Sequence, residues 1–164
     1  MDLRPDDPGP LPVVVSAIGM LRSGAVEGTT DQLDALVEQG TDWVRAAAGM
    51  LAMADADMLC GLAESTQEAG LDSGFVEVLA ADGEQVPIDD VAPPLRAALR
   101  TVLAHAYGDP ESADEQMRLA FLDGDPATGK HILAHTVLWT AQLMDVCEER
   151  AVPVPSWLNS GGFG

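Results

Sequence analysis

The chain has 164 residues, with 27 acidic against 8 basic side chains, a formal charge of −19 and 47% hydrophobic residues. That apolar fraction suffices to bury the core of one domain, which argues against a disordered chain despite strong self-repulsion. Eight scattered cations form no patch for a phosphate backbone or an anionic lipid surface, so nucleic acid and membrane surfaces are poor partners.

Residues 1–12 hold four Pro and three Asp and read as a flexible N-terminal arm. They place acids, not a cationic region, ahead of the apolar run Val13 to Leu21, which argues against a secretory signal. A single helical domain is then expected over 13–152. Its first segment, Val13 to Arg22, is too short to reveal its period, so helix and strand both stay open. Gly24 and Gly28 end it.

Thr30 before Asp31 has the form of an N-cap. Leu33, Leu36, Val37, Gly40, Val44, Ala47, Leu51, Ala54, Met58 and Leu62 then recur at steps of three or four, the period of a helix. The pattern is long for one globular helix, so it should break near Gly40 or at Asp55–Asp57. Ala46, Ala47, Ala48 and Gly49 would let a neighbouring helix, or a second copy of the chain, approach closely. The most apolar long window, Trp43 to Gly61, carries Arg45, Asp55 and Asp57, more charge than a lipid-facing helix of about 20 residues tolerates. A cytoplasmic protein is therefore expected. Asp55-x-Asp57 is not a calcium loop, because a turn glycine and the alternating oxygen ligands are missing. It reads as a solvated helix face or a helix break. Met50, Met53 and Met58 read as core.

Phe75 to Ala80 and Glu84 to Ile88 flank Asp82-Gly83, the signature of a small β-hairpin near 75–88, packed as an appendage. Asp82-Gly83-Glu84 also lacks the spacing of a calcium loop. Asp89 and Asp90 complement the N-terminal dipole of a helix launched by Pro93 and Pro94. Leu95, Leu99, Val102 and Ala106 form its apolar face, and Gly108 should stop it. Asp109–Pro110 starts a further helix over 111–122. Asp123-Gly124-Asp125-Pro126 is a turn that launches the last helix, to about Arg150. A C-terminal tail, 153–164, follows with two aromatics that could dock on the body or on a partner.

Gly124 to Lys130 satisfies the GxxxxGK part of a phosphate-binding loop, but His131 stands where a Ser or Thr would ligate magnesium. The segment before it reads as helix where a strand is needed, and a single helix and a tail follow, so it is a turn and a helix start. His131 and His135 have the i,i+4 spacing that brings two imidazoles to one helix face. With Gln142, Asp145 and Glu149 they fall on one stripe. A metal site would use His131, His135, Glu149 and Asp145, with zinc or another divalent transition metal and His105 as a further candidate. The commoner reading is the polar edge of a buried helix. Cys60 and Cys147 lie among apolar residues with no CxxC spacing and no nucleophile elbow nearby, which points to reduced, inert thiols.

Residues 31–90 carry 14 acidic groups against Arg45 alone. The fold expected is mainly α, an irregular or orthogonal bundle of five to seven helices. The function expected is a non-enzymatic acidic interaction module, an adaptor, chaperone-like or inhibitory subunit that binds a basic surface of another protein. Mimicry of a nucleic acid would be a special case. The alternative is a small metalloprotein or metal-dependent enzyme built on His131 and His135, and self-association is a third reading.

Overall fold

The computed structural model describes residues 9–66, 78–79, 85–86 and 91–159. They form a helical bundle of seven helices, as the hydrophobic periodicity predicts. The first, α1 (Leu11–Arg22), settles the segment whose period was open. Val14, Val15, Ala17 and Ile18 are its buried residues, a spacing that one face of a helix produces and an alternating strand does not.

The second helix, α2 (Val26–Gln39), begins before the expected cap at Thr30. Thr29 and Thr30 return their hydroxyls to the carbonyls of Ala25 and Val26, at 3.0 and 3.1 Å, so both are helix-interior residues. The extra turn buries Thr29 against α1. Gly40, with φ 113°, separates α2 from α3 (Thr41–Thr66) in a conformation that a residue with a Cβ rarely adopts. Of the two break points expected, Gly40 is the one used, and Asp55–Asp57 is not. α3 runs unbroken for 26 residues, because Asp55 is inside the bundle and not at a solvated end. By length and composition α3 could cross a membrane, yet 56% of its most apolar window is buried among other helices, as in the core helix of a globular protein.

Two-residue strands, β1 (Val78–Leu79) and β2 (Gln85–Val86), pair antiparallel with Val78 opposite Val86. The Asp82-Gly83 turn and the acidic pair Asp89–Asp90 lie outside the described residues. Pro93 opens α4 (Pro93–Ala106), and Asp109 caps α5 (Pro110–Ala120) by accepting from the Ser112 amide at 3.0 Å. Asp125 caps α6 (Pro126–Glu149) through the Ala127 amide at 2.9 Å. These are the starts that the Pro and Asp residues foretell. At the end of α6 the Val152 amide reaches the Cys147 carbonyl at 2.8 Å and the Ala151 amide reaches that of Glu148. This is a Schellman turn with Ala151, at φ 56°, where glycine is usual.

Helices α3 and α6 pack along each other at the centre, α4 lies against α3 and carries α5, and α1 packs on both α2 and α6. The tail returns to the body through α7 (Ser156–Asn159), where Leu158 is buried and Trp157 half-buried against the core. Of the small residues expected to admit a close neighbour, Ala47 and Ala48 are fully buried in the core and Gly49 is not closely approached. A Cβ on Gly49 would meet nothing within 4 Å, whereas one on Gly61 would stand 2.8 Å from Val152 Cγ1. Met58 is fully buried, but Met53 is exposed.

Candidate functional site

The polar stripe of α6 is a line and not a cluster. With a rise of 1.5 Å per residue, His131 and Glu149 are about 27 Å apart along the helix axis, and His135 and Asp145 about 15 Å. The structure therefore brings together two of the four candidate ligands. The His131 and His135 rings meet edge to face with centroids 4.5 Å apart, and Trp139 extends the row beyond His135. His135 Nδ1 is 3.0 Å from the His131 carbonyl. A carbonyl only accepts, so this nitrogen carries a hydrogen. Two imidazoles fall short of the three protein ligands of a catalytic zinc and the four of a structural one. Among the described residues no three His, Cys, Asp or Glu side chains gather around a common point.

Asp145 has a different partner. Arg22 of α1 reaches its Oδ1 from Nη2 at 2.9 Å and Glu148 Oε1 at 2.7 Å, tying α1 to the last turns of α6 at an exposed site. Glu149 faces solvent, and His105 is half-buried on α4. Lys130, the lysine of the partial phosphate-loop string, pairs with Asp34 of α2. Asp123 caps the turn by accepting from the Asp125 amide at 3.0 Å and the Thr128 hydroxyl at 2.9 Å. Each part of that string thus has a structural use.

The thiols are poor nucleophiles. Burial pushes Cys147 above the ordinary thiol range, and burial together with Asp57 and Glu64 does the same for Cys60. A thiolate is disfavoured at both positions. A cleft of about 450 Å³ is lined by Pro93, Arg96, Arg100, Leu119, Leu122 and others where α4, α5 and the turn before α6 meet. Among the described residues its one carboxylate is Asp123, which is engaged in that turn.

Two arrangements of carboxylates stand out, and the first is on α2. Glu27, Asp31, Asp34 and Glu38 fall within an arc of about 60° at 100° per residue, along about 17 Å of helix. Thr29, Leu33 and Leu36, buried against the core, occupy the opposite face. Glu27, Asp31 and Glu38 are exposed, and Asp42 at the start of α3 is exposed as well. Arg45 is the one cation of α2 and α3, and Lys130 of α6 pairs with Asp34 of this row.

The second arrangement overturns a sequence expectation. Asp55 is no solvated residue: it is 1% exposed, between α3 and α6. Thr140 Oγ1 of α6 is 2.6 Å from Asp55 Oδ1 and 2.9 Å from the Thr136 carbonyl. Asp55 Oδ2 is buried without a hydrogen-bond partner. Burial drives the Asp55 carboxyl up to about 8, against a smaller opposing pull from the Thr140 hydroxyl. Helical period could have found this residue. Asp55 stands four residues after Leu51, three before Met58 and seven before Leu62, in the middle of the apolar stripe. Asp57, on the other side of α3, is exposed.

No model of a known family, no curated protein and no solved structure matches this chain.

Proposed function

We propose that this chain is an acidic helical interaction module that docks on a basic surface of another protein and carries out no chemistry of its own. The observation that supports this reading is the α2 row: four carboxylates on the face opposite the core, continued by Asp42. A helix held by one face and lined with one sign of charge on the other is suited to electrostatic docking. It is one row on one helix and not the double row of a duplex, so the partner is a cationic protein surface and the reading is not of a nucleic-acid mimic.

The test is capture of partners by the full chain across a salt series, beside the variant Asp31→Lys with Glu38→Lys. A partner held through this row is retained at low salt, weakens as salt rises and is lost with the double variant, since exposed charges are screened beyond about 10 Å at 0.1 M salt. A specific partner retained equally by both proteins from low to high salt would overturn the reading.

A further inference from the structure

We propose that Asp55 and Thr140 form a proton-dependent latch between α3 and α6, closed while the Asp55 carboxyl is neutral and loosened when its proton passes to solvent water. This device is independent of the docking row on α2.

Hydrogen counting carries the proposal. Thr140 has one hydroxyl hydrogen but two acceptors within reach, Asp55 Oδ1 at 2.6 Å and the Thr136 carbonyl at 2.9 Å. An ionised Asp55 adds no hydrogen, so one of the two contacts would hold acceptor against acceptor. A neutral Asp55 adds the missing one. Its O–H donates to Thr140 Oγ1, whose own hydrogen goes to the Thr136 carbonyl, and both short contacts become hydrogen bonds. Thr136 in turn gives its hydroxyl to the Ile132 carbonyl at 2.7 Å, so the chain of donors closes on the α6 backbone.

The surroundings offer nothing to an anion. Among the described residues Oδ2 has no donor, and burial and the Thr140 hydroxyl are what act on the carboxyl. None of the charged or titratable groups of the packed helices acts on it: Asp57 and Cys60 of α3, Arg22 of α1, Asp34 and Glu38 of α2, Arg96, Arg100 and His105 of α4, or Lys130, His131, His135, Asp145, Cys147 and Glu148 of α6. A buried charge without a partner is relieved by admitting water. The boundary that must open to admit it here is the one between α3 and α6.

The test combines carboxyl carbon NMR of Asp55 in the full chain with hydrogen exchange over 51–59 and 136–144, for the native protein and Asp55→Asn. The amide side chain keeps a donor for Thr140 and cannot ionise. The native carboxyl is expected neutral at pH 6. Exchange protection of these segments, corrected for the intrinsic pH dependence, should fall about tenfold per pH unit between pH 5 and 7 in the native protein and stay level in Asp55→Asn. An Asp55 carboxylate already ionised at pH 6 overturns the proposal. So does a neutral carboxyl whose segments show no such loss of protection, since that residue would be structural and not a latch. If Asp55→Asn does not fold, the native titration and exchange profile decide alone.

Discussion

The outer face of α2 and the interface of α3 with α6 present the same side-chain chemistry in opposite surroundings. On α2, carboxylates line the surface away from the core, where water solvates each one and the cost is mild mutual repulsion. On α3, one carboxyl lies among Leu, Met and Thr with a single hydroxyl for company. Position relative to the core, and not residue type, decides whether a carboxyl is an electrostatic surface or a titrating part of the interior.

The largest expected effect that sharpens this contrast is in pH. Asp55 has a folded-state pKa of about 8 against an ordinary value of 3.8, so the unfolded chain loses this proton first. The contribution of Asp55 to stability should be largest below about pH 4, fall as pH rises towards 8 and level off above it. The span is an upper bound on the order of 5 kcal/mol. Urea unfolding of the native protein and Asp55→Asn at several pH values isolates it, since the repulsion among the other carboxylates is common to both. Parallel profiles would place Asp55 with the solvated acids of α2.

Next comes packing. Ile132 of α6 is fully buried, and Ile132→Ala should cost about 2–5 kcal/mol, whereas Asp31→Ala on α2 should stay within about 0.5 kcal/mol of native. Denaturant midpoints for the pair measure how different the two regions are. Thr140→Val should be intermediate, costing about 1–3 kcal/mol for an abandoned buried carboxyl. Denaturant midpoints of the variant at pH 6, beside those of Ile132→Ala, measure it. Smallest is Arg22→Ala. Its partners Asp145 and Glu148 are 61% and 58% exposed, so the loss should be no more than about 1 kcal/mol and should shrink in high salt. Thermal melts at two salt concentrations check it.

Much of the architecture was legible in the residues alone. Pro93, Asp109–Pro110 and Asp125–Pro126 mark three helix starts, and Gly40 divides α2 from α3, because each acts on the backbone within a turn of itself. Thr30 misled for a similar reason. A hydroxyl that can cap a helix can equally bond back to its own carbonyls, and only packing against α1 decided between them. The stripe on α6 was right as an angular pattern. It gathered no ligand set because periodicity reports direction around a helix and says nothing of separation along it.

What the sequence determined by itself is therefore local and additive: where helices begin and end, which faces are apolar, and an excess of negative charge over α2 and α3. Tertiary structure alone decided which partner each polar group meets. It turned Asp145 towards Arg22, docked Leu158 on the body and enclosed Asp55 opposite Thr140, 85 residues away along the chain. Those outcomes depend on distances between helices and on the exclusion of water from between them, quantities that arise only when distant segments pack.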